Sequence, residues 1–152
     1  MKKLFQILSI SLFCSVGGFA QSAEEMAVKV PIQQLFDGMK KSDSTLVRQS
    51  LMPGARLESI AKNKSGEVTV RSDSFEGFLK SIGKATPGDL DERLSAVDIR
   101  IDGEMATAWT PYKFYFKGNF SHCGVNAFQL VKTAAGWKIL SIIDTRRKEG
   151  CE

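Results

Sequence analysis

One short segment of the 152-residue chain gathers most of the side chains that could do chemistry. It runs Ser121-His122-Cys123-Gly124-Val125-Asn126-Ala127-Phe128, and later come Asp144, Arg146 and Cys151. His122 is the single histidine, and an imidazole is the side chain whose ordinary pKa suits proton transfer near neutral pH. An aspartate could orient it or share its proton. Cys123 allows three readings. A catalytic thiolate needs an unpaired cysteine, and one His with two Cys leaves a zinc set incomplete, so no metal is expected. The remaining reading is a disulfide from Cys123 to Cys151, which presupposes a compartment that oxidises thiols.

The amino terminus points to such a compartment. Lys2 and Lys3 precede an apolar run from Leu4 to about Val16, followed by the small-residue stretch ending Gly18-Phe19-Ala20. That order is the pattern of a secretory signal peptide, and the run is too short to span a bilayer. Residues 1–20 are therefore expected to be removed, Cys14 with them, leaving residues 21–152 as a single periplasmic or secreted domain. Phe13 beside Cys14 is a poor context for lipidation. Without Lys2 and Lys3 the chain holds 19 basic and 17 acidic residues, a net charge of +2. No basic face is continuous, so nucleic acid is not an expected partner, and no second apolar segment follows to hold the mature chain in a membrane.

The elements that must position these residues follow from periodicity. Val28, Ile32, Leu35, Phe36 and Met39 form one helical stripe. Pro31 is tolerated only in a first turn, which places the helix start near Val28. A short helix over 44–51 is ended by Met52-Pro53-Gly54. Strands over 56–62 and 67–71 flank Asn63-Lys64-Ser65-Gly66. Asp73 to Glu76 has the form of a capping box with Asp73 as the cap, opening a helix with Phe75, Phe78, Leu79 and Ile82 inward. From Leu90 the pattern is strand throughout, with turns at Asp102-Gly103, Lys117-Gly118-Asn119 and Thr133 to Gly136. Trp109 and Trp137 are expected to close the two edges of the core. The architecture is α+β, helices on one face of a curved sheet.

Register then decides which side chains meet. A three-residue loop Ala134-Ala135-Gly136, with Gly136 left-handed, sets Asn126 opposite Asp144, Gly124 opposite Arg146, Phe128 opposite Ile142 and Leu130 opposite Leu140. A three-residue loop at Lys117-Gly118-Asn119 adds Tyr112, Phe114, Phe116 and Phe120 to the His122 face, whereas a two-residue Gly118-Asn119 loop would put Lys113 and Tyr115 there instead; the first is preferred because it gathers the aromatic residues on one face. That face runs from apolar to polar, as a ligand pocket does, with Tyr112, Phe114, His122, Asn126, Phe128, Asp144 and Arg146 as the binding set. Cys123 points to the opposite side.

This order of helices and strands, with "SHCGVNAFQLV" and the terminal "GWKILSIIDTRR", resembles the nuclear transport factor 2-like superfamily from about Val28 to Cys151. It is most similar to its small secreted, lumazine-binding-like bacterial proteins. The resemblance implies a cone-shaped α+β domain in which three N-terminal helices pack on a strongly curved antiparallel sheet, with a pocket at the wide end. It also implies a homodimer formed through the outer sheet face. The pocket would take a small, partly aromatic or apolar molecule and no cofactor. The resemblance also admits two alternatives: a cofactor-free isomerase, lyase or cyclase using His122 and Asp144, or a dimeric interaction domain with no ligand. Fold alone does not choose between them, and the binding reading is preferred.

Overall fold

A computed structural model describes residues 17–151, with side chains from residue 23. Residues 1–16 of the expected leader, Cys14 among them, lie outside the described residues.

The first helix, α1 (Gly17–Lys41), buries the expected stripe: Val28, Ile32, Leu35, Phe36 and Met39 are each at most 9% exposed. It does not start near Val28, and Pro31 lies inside it. The missing N–H forgoes one helical bond. Two things offset that loss: the packing of Val28 and Ile32 on either side, and an anchor upstream. Glu24 accepts hydrogen bonds from Lys132 Nζ (2.7 Å) and the Trp137 indole (3.0 Å). Asp43 caps α2 (Ser44–Ser50), its carboxylate accepting from the Leu46 amide at 2.9 Å.

Strand β1 (Leu51–Lys62) begins directly after α2 and runs through Pro53 and Gly54, which sequence reading takes as a break. Both lie where the pairing skips from Leu51 to Arg56, so the proline needs no ladder hydrogen bond there. Strand β2 (Val68–Asp73) completes the hairpin. Ser74, and not Asp73, caps α3 (Phe75–Lys84); its hydroxyl accepts from the Gly77 amide, while Asp73 ends β2.

The strand pattern expected from Leu90 to the Asp102-Gly103 turn is broken in two. Strands β3 (Leu90–Leu94) and β4 (Asp98–Asp102) pair with the second and first halves of β5 (Met105–Phe116). The break faces Pro111, which has no N–H to donate; its carbonyl takes the Ser95 amide instead. Strands β6 (Asn119–Thr133) and β7 (Gly136–Arg146) follow. The sheet order is β2-β1-β7-β6-β5-β3, with β4 also on β5. The α+β fold, with three helices against a curved, mostly antiparallel sheet, is as the resemblance implies; the β1–β7 pairing within it is parallel.

The core lies between the helices and one sheet face, where Leu57, Ala106, Ala108, Phe128, Leu130 and Ile139 meet α1, α2 and α3. Trp137 is 5% exposed and closes this core. Trp109 does not: it is 55% exposed, because β5 alternates and Ala106, Ala108 and Thr110 take the inner positions. Among the described residues no helix is long and apolar enough to cross a membrane.

Candidate functional site

The hairpin that carries the site has the expected register at its centre: Asn126 faces Asp144 and Phe128 faces Ile142. It differs near the turn. Leu130 faces Ile139, not Leu140, because the ladder skips Leu140 and leaves it 45% exposed. Leu140 therefore leaves the pocket face and Ile139 joins the core. Gly136 takes the left-handed conformation (φ 92°) that the turn requires.

The preceding turn holds Phe114 opposite His122 and Tyr112 opposite Gly124, as expected, then slips by one residue. Lys117 and Gly118 both take positive φ, the backbone of a tight two-residue hairpin turn, so Phe116 faces Asn119 and not Phe120. Phe120 moves to the opposite face, where it packs edge-on against Tyr115 with centroids 6.0 Å apart.

A cavity of about 230 Å³ opens between the helices and the sheet, and Tyr112, Phe114, His122, Asn126, Phe128, Asp144 and Arg146 all line it. Its apolar end is built from Leu35, Phe36 and Met39 of α1, Phe78 and Ile82 of α3, and Phe128 and Ile142 of the sheet. Its polar end holds Ser59, Glu92, Tyr112, His122, Asn126, Asp144 and Arg146.

Asp144 is the best-held group there. Its carboxylate accepts from the Ser59 hydroxyl, from the Tyr112 hydroxyl at 2.9 Å and from Arg146 Nε at 2.8 Å. Parallel pairing of β1 with β7 brings Ser59 beside it. Burial, reinforced by the charges of Asp144 and Glu92, raises the Tyr112 hydroxyl far above its usual range, so it stays a donor. Among the described residues, no hydrogen bond joins Asp144 to His122. The imidazole Nδ1 lies 3.0 Å from the Ser121 hydroxyl, and the ring packs 5.1 Å from Phe114 and 5.7 Å edge-on from Tyr112. Burial, then the Arg146 charge, lowers its pKa, which keeps the ring neutral.

Glu92 is the site residue that sequence reading missed. It stands on β3 opposite Phe114 and accepts from Asn126 Nδ2 at 2.8 Å. Burial pushes its pKa up to about 7; the Asn126 hydrogen bond opposes this and the nearby Asp144 charge adds to it. Its neighbour Asp91 points the other way and pairs with Lys40 (3.0 Å) and Arg93 (2.7 Å), fastening β3 to α1. The available signal was the alternation Leu90-Glu92-Leu94, an acid between two inward apolar residues.

On the far side, a disulfide joins Cys123 to Cys151. Gly124 lets the strands close up beside it: a Cβ there would lie 1.7 Å from the Thr145 carbonyl oxygen, the same oxygen that the Tyr112 hydroxyl approaches at 3.0 Å.

Comparison with known proteins gives this geometry a family. The model described as "Putative lumazine-binding" matches residues 23–143. The chain belongs to the lumazine-binding-like family, within the nuclear transport factor 2-like superfamily. No curated protein matches it by sequence. Solved structures share the fold. A nuclear transport factor 2-like protein with a cystatin-like fold from Novosphingobium aromaticivorans superposes with a TM-score of 0.67 at 13% identity, covering 92% of this chain and 94% of that one. One of unknown function from Shewanella baltica gives 0.61 at 18% identity, covering 84% and 97%. A "putative ketosteroid isomerase" from Shewanella frigidimarina gives 0.57 at 19% identity, covering 80% and 96%. These structural likenesses establish the fold alone.

Proposed function

We propose that this lumazine-binding-like protein is a periplasmic or secreted binding protein for a small, partly aromatic or apolar molecule. It works as a homodimer joined through the outer sheet face, after loss of residues 1–20. The observation that carries the binding reading is the grading of the cavity, from the Phe36, Phe78 and Phe128 end to the Asn126, His122 and Arg146 end. An apolar slot with a few convergent polar groups is how small-molecule sites are built. The disulfide supports an oxidising compartment. The test is a thermal-shift screen of one- and two-ring aromatics, repeated on Phe114→Ala. A raised midpoint that the variant loses supports the reading; a flat screen on the purified protein refutes it.

One observation favours a second reading as a cofactor-free isomerase, lyase or cyclase. Glu92 gives the cavity a carboxyl that gains and loses its proton near neutral pH. With Asp144 already taken up by Ser59, Tyr112 and Arg146, Glu92 is the carboxyl left to serve as acid or base in the cavity that His122 also lines. Recovering a ligand from heavy water and weighing it tests this. Deuterium gained at carbon with the wild type and not with Glu92→Gln supports proton transfer; no gain in either rejects it.

A further inference from the structure

The inner cavity does not end at its polar groups. Phe114, His122 and Arg146 also line a second, open groove of about 940 Å³ beyond the polar end of the cavity. Its walls are Ile60, Val68 and Phe116, and its rim carries Lys62, Arg147 and Lys148. Glu149 is the one acid lining it among the described residues. Arg146 is neutralised by Asp144, but Lys62, Arg147 and Lys148 join no ion pair among the described residues. The Arg147 guanidinium approaches only the Gly150 carbonyl, at 3.3 to 3.4 Å. The groove therefore carries excess positive charge over apolar walls.

Resting on the binding function proposed above, we infer that the ligand is an amphipathic anion. Its ring or short chain fills the inner cavity, and its carboxylate or phosphate lies in the open groove against Lys62, Arg147 and Lys148. Size supports this, since about 230 Å³ is below the range of enclosed drug-sized sites, roughly 300 Å³ upward, so a larger ligand must emerge past His122. Charge supports it as well: a cationic ligand would be repelled at the rim, and a neutral one would gain nothing from three unpaired cations. Lys148 of the rim acts on His122 at the junction in the same direction as Arg146 and against Asp144, so the groove's charge is felt there.

The experiment uses the purified protein and four naphthalene probes that share one short alkyl tail. The tail ends in a carboxylate, a phosphate, an alcohol or a trimethylammonium group. Affinity is read by fluorescence anisotropy at about 20 mM and about 500 mM sodium chloride, a range over which screening of exposed charges rises sharply. The expected result is an anion that binds about tenfold tighter than the alcohol at low salt, a gap that shrinks at high salt. Lys62→Glu with Lys148→Glu closes the gap between anion and alcohol. Whichever anion is preferred names the headgroup. Equal binding of alcohol and anion, preference for the ammonium, or a gap indifferent to salt overturns the inference while the binding function stands. If none of the four binds, both fall. The salt series on the wild type decides the matter even if the double variant fails to fold.

Discussion

Glu92→Gln isolates the buried carboxyl from every other titrating group. In the fold, burial raises the Glu92 pKa from 4.5 to about 7, so the native state holds its proton more tightly than the unfolded chain does. A group of this sign contributes its stability in full below about pH 4.5 and loses it as pH climbs through 7. Each pKa unit corresponds to about 1.4 kcal/mol, so the loss approaches about 3 kcal/mol by pH 8. Residual solvent contact at the residue makes that an upper figure. Glutamine keeps the oxygen that Asn126 donates to and carries no charge at any pH. His122 acts with the opposite sign: its lowered pKa favours the neutral ring, so its contribution is full above the ordinary value of 6.5 and lost as pH falls. Wild-type stability is thus flattened by two opposed slopes, and the difference between wild type and Glu92→Gln removes the histidine from both sides. Urea midpoints at half-unit steps from pH 4.5 to 8 should show the variant gaining on the wild type as pH rises, by on the order of 1 M or more at the alkaline end. A difference that stays constant across that range would refute the buried-carboxyl argument.

Reducing the disulfide, or Cys151→Ser, removes a link across 28 residues and should lower unfolding free energy by about 3–4 kcal/mol, read from denaturation with and without reductant. Gly124→Ala forces a methyl group against the Thr145 carbonyl and should cost more than about 3 kcal/mol, the top of the usual overpacking range; a thermal midpoint close to wild type contradicts the close approach. Trp109→Glu puts a charge on the exposed outer face and should give a monomer by sedimentation with its thermal unfolding little changed; an unaltered sedimentation coefficient argues against the outer-face dimer.

What could be read from sequence was what is local. The stripe from Val28 to Met39 fixes the inward face of α1, and the Gly136 turn together with the alternation of Asn126, Phe128, Ile142 and Asp144 fixes the centre of the last hairpin. Seven lining residues of one cavity followed from that register and from Phe114 facing His122. What escaped depends on partners far away in the chain. Leu140 and the slip after Phe114 are bulges, and a bulge leaves the composition of a strand unchanged. The alternation Leu90-Glu92-Leu94 points Glu92 inward, but bringing it to Asn126 takes the pairing of β3 with the far half of β5. Ser59 reaches Asp144 across 85 residues by a parallel pairing that no turn announces. Pro31 shows the converse: a strong local rule was overridden by packing on both sides and by Glu24 fastening the helix to Lys132 and Trp137.

The parallel β1–β7 pairing also has a consequence for timing. Strand β7 is the seam between the two halves of the sheet, with β1 on one side and β6 on the other, and among the described strands it comes after all the others in chain order. Until it arrives, β1 and β2 have no sheet to join, and the helices have only part of their floor. Contacts of such long sequence separation are slow to form, and none of them can form during synthesis of the earlier segments. Completion of the sheet therefore waits on β7, and trimming a few residues from it would part β1 and β2 from β6, where the same cut in the edge strand β2 would fray only a margin.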